Sequence, residues 1–112
     1  MFNIKRRQSD TLFSKALREK IGKCERCGKK DNLQVSHFWG RRHESVRFSE
    51  ENCDILCFGC HRIFTEDPPL YHEWKLKKLG EKRYKILKLK AQTYCKRDEK
   101  MAVLYIKKKY EK

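Results

Sequence analysis

Cys24-x2-Cys27 and Cys57-x2-Cys60 are two short cysteine pairs with 29 residues between them. Each tight turn presents two sulfurs on one side, and two such turns supply the four thiolates of a tetrahedral ion. The spacing predicts a structural zinc site with Cys24, Cys27, Cys57 and Cys60 as ligands. Cys53 adds a second spelling, Cys53-x3-Cys57-x2-Cys60, which matches the iron–sulfur ligation of radical enzymes. A chain of 112 residues cannot also house the partial barrel around such a cluster. Cys53 and Cys95 are therefore expected to be small buried apolar residues. A closed four-sulfur site has no open position for chemistry, so any reaction must come from side chains that the scaffold holds. His37, Asn52 and His61 are the candidates, at intervals of 15 and 9 that straddle the second pair.

The elements that must position them are legible in outline. Ser9 or Asp10 is expected to cap a helix whose apolar residues Leu12, Phe13, Ala16, Leu17 and Ile21 recur at helical spacing, ended by Gly22. Leu33 to Trp39 alternates and predicts a strand with His37 within it or at its end, and Val46-Arg47-Phe48 predicts a second short strand after a basic turn. The run after Cys57 predicts a helix whose first turn displays Cys60 and His61. Asp67 with Pro68-Pro69 opens another helix that Gly80 stops. Two more helical patterns follow, one from Tyr84 to Tyr94 and one from Met101 that fades into Lys107 to Lys112.

Composition bounds the class. Lys and Arg number 29 against 15 Asp and Glu, a formal charge of +14, and the natural partner of such a surface is a polyanion. Residues 70–112 carry 15 of the cations and only 5 acids, so the basic excess sits in the tail. The longest apolar run, Ala102 to Ile106, is too short to span a bilayer, and the first ten residues lack the apolar stretch of a secretory signal. The expected location is cytoplasmic, where thiols serve as metal ligands rather than disulfides. With 38% hydrophobic residues the core is lean, and a structural ion would add what the side chains lack.

The segment SHFWGRRHESVRFSEENCDILCFGCH resembles the HNH nucleases, whose hairpin, zinc knuckle and helix form a ββα-metal site. The resemblance extends through YHEWKLKKLG and the basic helices to the phage recombination nucleases of the NinG/Rap type, covering most of residues 24–112. It implies an α+β fold: a zinc-stabilised, treble-clef-like HNH core over 23–66, an N-terminal helix, and a basic helical extension over 67–112, in one domain. It also implies a cytosol that is bacterial or phage-infected. The activity implied is metal-dependent hydrolysis of DNA phosphodiester bonds, on branched, single-strand-containing or other recombination-intermediate substrates, alongside recombination proteins.

For the matched positions the resemblance implies roles that chemistry asks for independently. His37 is the general base that activates water. Asn52 fixes the ring or the metal shell, and His61 ligates a catalytic Mg2+ or Mn2+ that polarises the scissile phosphate. Where many relatives carry Asp or His before the base, this chain has Ser36. Either His61 with Asn52, water and substrate oxygens suffices, or His43 or Asp54 completes the shell.

DNA is expected to be held mainly through its phosphates. Arg41, Arg42 and Arg47 flank His37 and would contact phosphates beside the scissile bond, and Lys75, Lys77, Lys78, Lys82, Lys85 and Lys88 can form a stripe along two helices. Of Trp74, Tyr84 and Tyr94, two are expected in the core. Cutting a symmetric junction would call for a homodimer, since two nicks need two sites. The alternative function is a non-catalytic zinc-containing DNA-binding accessory protein. A protein-interaction zinc module is disfavoured by the +14 charge.

Overall fold

Fourteen residues from Gln8 to Ile21 place Phe13 and Leu17 on one buried stripe, and this amphipathic stretch forms the first helix, α1 (Gln8–Ile21). The computed structural model describes residues 7–111; the first six residues of the opening segment and Lys112 of the expected basic end lie outside them. The remaining elements are β1 (Leu33–His37), a 3-10 turn over Glu44–Val46, β2 (Cys53–Cys57), α2 (Phe58–Glu66), α3 (Pro68–Leu79), α4 (Glu81–Gln92) and α5 (Glu99–Lys109). The architecture is α+β, five helices around a two-stranded sheet, and no described helix is long and apolar enough to cross a membrane.

Two expectations about α1 and the hairpin require correction. Ser9 and Asp10 do not cap α1; both lie inside it, buried, and the cap position is Arg7. The free N–H of Ser9 instead donates to a Glu99 carboxylate oxygen at 3.0 Å, so α5 satisfies the start of α1 from across the fold. Gly22 does end the helix, in the left-handed conformation at φ 73° that suits glycine. The second strand is not Val46-Arg47-Phe48, where the chain forms the 3-10 turn, but Cys53–Cys57. Every residue of that strand is buried, so CDILC shows no alternation between wet and dry faces.

The antiparallel register pairs His37 with Cys53, Ser36 with Asp54 and Val35 with Ile55. Successive side chains therefore part company. Val35, His37, Cys53 and Ile55 face α1 and α5, where Phe13, Leu17 and Ile106 complete the core. Ser36 and Asp54 face α3, and Leu56 joins Cys24, Cys57, Cys60 and Phe64 in a second cluster. The knuckle covers the outer edge of β2: the Glu25 N–H donates to Ile55 O, and the Ile55 N–H to the Glu25 carboxylate, each at 2.8 Å. Among the described residues no strand pairs with the outer edge of β1. Asp67 accepts from the Leu70 N–H with prolines in the first turn of α3, and Gly80 ends that helix.

Beneath the sheet on the α3 side lies a buried ion network. The Asp54 carboxylate accepts from Tyr71 Oη at 2.6 Å, Lys75 Nζ at 2.9 Å and Lys78 Nζ at 2.6 Å, and neither Asp54 nor Lys75 is exposed at all. Burial pushes the Lys75 ammonium down and the Tyr71 phenol up. A third apolar cluster joins Val46, Leu79, Leu87 and Ala91, with Trp39 and Tyr84 against it. Trp74 packs on Phe64 while Tyr94 is fully outside the core, so two of the three tail aromatics are structural. Cys53 is buried, but Cys95 is exposed in the turn between α4 and α5, against expectation. That turn has no second layer over it.

Candidate functional site

The four cysteines converge. Cys24 and Cys27 lie in the turn after α1, Cys57 ends β2 and Cys60 lies in the first turn of α2, and their sulfurs all fall within 4.8 Å of one another. A zinc ion bound at ~2.3 Å to four sulfurs sets them ~3.8 Å apart along each edge of the tetrahedron. Cys27 and Cys57 are already 3.6 Å apart. Backbone N–H donors favour the thiolate at Cys57 and Cys24, while burial pushes the Cys60 thiol up to about 12. Cys57 Sγ accepts the Cys60 N–H at 3.5 Å and caps α2, and an Arg26 guanidinium nitrogen is 3.6 Å from Cys60 Sγ. Burial raises the Cys24 thiol, but N–H donors of Cys57, Cys27 and Arg26 outweigh it and hold it down near about 6. The cluster fits a structural metal such as zinc, three of its four ligands being buried.

His37 ends β1 and its ring is held by one contact. Its Nε2 lies 2.9 Å from the carbonyl oxygen of Arg47. A carbonyl only accepts, so Nε2 carries the proton and Nδ1 is left with its lone pair. Burial, helped by the nearby Arg41 guanidinium, lowers the imidazole to about 4, so the ring is neutral at neutral pH. His37 shares an open cleft of about 520 Å3 with His61 from α2, Arg41 from the loop, Arg18 and Ser14 from α1, and Gln34 from β1. No carboxylate lines it.

Other predicted residues are turned elsewhere. Ser36 faces α3, where its hydroxyl donates to Tyr71 Oη at 3.0 Å, the Tyr71 proton being given to Asp54, because adjacent strand residues point to opposite faces. Asp54 shares that face and is consumed by Lys75 and Lys78. His43 has its Nδ1 on Ala91 O at 3.0 Å and its Nε2 accepting from Arg42 at 3.3 Å. None of these three completes a metal shell beside His61.

Asn52 does not orient the His37 ring either. Its Oδ1 accepts the Trp39 N–H at 2.8 Å, while its Nδ2 donates to Trp39 O at 3.0 Å and Val46 O at 3.1 Å. It thereby ties both ends of the 39–46 loop, next to the Arg47 carbonyl that holds His37. Its observed part is to hold that loop through backbone contacts. Asn52→Ala should cost about 2 kcal/mol, because truncation orphans buried backbone groups; urea unfolding with an unchanged zinc content would measure this.

The expected cationic surface is also redistributed. Arg47 does not face phosphate: its guanidinium grips both Asp10 oxygens and the carbonyl of Arg41. Its planar fork matches the carboxylate and fixes the loop bearing Arg41. Lys75 is buried in the Asp54 network and Lys78 bridges Glu25 and Asp54, so neither belongs to a solvent stripe. Lys77 and Lys85 pair with Glu73 and Glu81 one turn back, leaving Lys82 and Lys88 exposed without an ion pair among the described residues. Arg42 is exposed beside His43. Sequence reasoning missed Arg18 and Gln34, which enter the cleft only through the packing of α1 on β1. No family model, curated protein or solved structure matches this chain.

Proposed function

We propose that the protein is a DNA endonuclease of the HNH kind, hydrolysing phosphodiester bonds in the cleft between α1, β1 and α2. The observation that carries this reading is the His37 ring, neutral, pinned through Nε2 and sharing a cationic cleft with His61. A water set against a phosphorus in that cleft gives its proton to Nδ1 as its oxygen attacks. The bond to the leaving oxygen breaks, and that oxygen takes a proton from solvent in the open cleft. Arg41 and Arg18 offset the charge that gathers on the phosphoryl oxygens.

The four-cysteine site would hold zinc, which fastens the knuckle to β2 and α2 and so fixes where His61 stands. A working divalent ion at His61 would polarise the phosphate. The chain supplies only that imidazole where Mg2+ wants several oxygens, so Mg2+ does not fit the donor set by itself. Branched or recombination-intermediate DNA, held through phosphates, remains the substrate class that the HNH-like residues suggest, with a homodimer serving paired nicks and recombination proteins as partners.

One observation favours a second reading, a non-catalytic zinc-containing DNA-binding accessory protein: the cleft lacks any acidic ligand for a working metal. Supercoiled plasmid and a synthetic branched DNA, incubated with zinc-loaded protein with and without added Mg2+ or Mn2+, separate the two. Nicking or linearisation supports the nuclease, and tight salt-sensitive binding without any cleavage supports the accessory protein.

The lowered imidazole sets a pH signature. His37 ordinarily would gain its proton near pH 6.5, but here it does so at about 4, so the basic form dominates above that value. The acid limb of kcat/KM should thus lie well below the usual histidine range, and rates should be level from about pH 5.5 to 7.5. Zinc content measured at each pH controls for loss of the ion. A limb centred near 6.5 would show that another group is the base.

A further inference from the structure

The cleft holding His37 and His61 does not end at them. A second cleft adjoins it and shares Arg18, Leu33 and Gln34, so one furrow runs along the outer edge of β1 from the knuckle to the Arg41 loop. Its cations come from three elements: Arg18 from α1, Lys29 from the knuckle and Arg41 from the loop. No acidic residue lines either cleft. In the tail, Lys75, Lys77, Lys78 and Lys85 are matched by carboxylates, while Lys82 and Lys88 have no ion pair among the described residues.

An aromatic ring lies in the same furrow. Phe58 opens α2 and lines the second cleft, yet it is 59% exposed and belongs to none of the three apolar clusters. Its neighbour Gly59, with no side chain, lines the same cleft. Phe58 directly follows Cys57, and a metal on that sulfur would hold the backbone beneath the ring. A phenyl face in a cationic groove is what binds an unpaired base, since bases in a duplex are already stacked on both sides.

We propose that this furrow is the track of a single DNA strand, with one unpaired base stacked on Phe58 and flanking phosphates on Lys29, Arg18 and Arg41. The bond offered to His37 then lies beside an unpaired nucleotide. The proposal rests on the nuclease reading for that last step alone; the binding track stands on charge and exposure.

The test measures binding of zinc-loaded protein, without added divalent ion, to fluorescein-labelled oligo-dT and to a duplex of equal length. Phe58→Ala should weaken oligo-dT binding about tenfold and duplex binding by no more than about twofold, and Phe58→Trp should retain the wild-type affinity. Arg18→Gln should lower the salt slope for oligo-dT by about 0.7. Zinc content and circular dichroism confirm that each variant is folded. Unchanged oligo-dT affinity in Phe58→Ala, or an equal loss on both DNAs, would overturn the proposal. If the predicted binding pattern holds but no DNA is cut, the track stands and the nuclease reading fails. If cutting depends on His37 but Phe58 has no effect, only the track fails.

Discussion

His37→Ala should reduce DNA cleavage by about two to four orders of magnitude, the range that a positioned general base contributes. DNA binding should be little changed. The ring makes one hydrogen bond, to the Arg47 carbonyl, and that loop is independently tied by Asn52 and by the Arg47–Asp10 pair. Removing the imidazole therefore takes away the Nδ1 lone pair without releasing the loop. Plasmid nicking gives the rate, and fluorescence anisotropy gives the affinity. His37→Gln is a useful companion, since an amide can keep a contact to the carbonyl but cannot accept a proton from water. Both variants should be equally inactive. Cleavage that persists in both would remove His37 from the chemistry and leave the cleft as a binding groove.

Cys57→Ser should release the metal and abolish cooperative unfolding at moderate temperature. Structural zinc binding by small domains contributes ~10–16 kcal/mol at neutral pH, comparable with or larger than the whole stability of a typical domain. Cys57 holds a special place among the four ligands, as it ends β2, caps α2 through the Cys60 N–H and lies 3.6 Å from Cys27. Its loss therefore loosens strand, helix and knuckle together, and His61 goes with the helix. Metal analysis of the purified variant and a thermal melt by circular dichroism would follow this. Cys95→Ser, at an exposed thiol outside the cluster, should match the wild type in both measurements. One zinc per chain retained in Cys57→Ser would remove that residue from the ligand set.

Two ion pairs, one fully buried and one largely so, make a different point about stability. Asp54 with Lys75 and Asp10 with Arg47 join elements distant in sequence, and each charge is unaffordable in the interior without its partner. Composition counts Lys75 and Arg47 as surface cations because most are. Residue type does not distinguish Lys75 from Lys77, but helical spacing does: Lys75 lies between Tyr71 and Leu79 on the inward stripe and is buried, while Lys77 is exposed on another face.

What the sequence determined by itself is whatever depends on short spacing. Two Cys-x2-Cys turns present paired sulfurs wherever they fold, Asp67 with two prolines starts a helix, and Gly22 and Gly80 end helices by virtue of their positive φ. What only the tertiary structure decided is which side chains share a face. β2 was hidden because a strand buried on both sides has no alternation to read. The register then set His37 against α1 and Ser36 against α3, which removed Ser36 and Asp54 from the cleft. Arg18 and Phe58 joined the furrow through the packing of helices on the sheet, and Lys75 and Arg47 left the surface through contacts to Asp54 and Asp10, 21 and 37 positions away. Such contacts form because burying apolar surface selects one mutual arrangement of helices and sheet, and charged groups must then find partners where that arrangement leaves them.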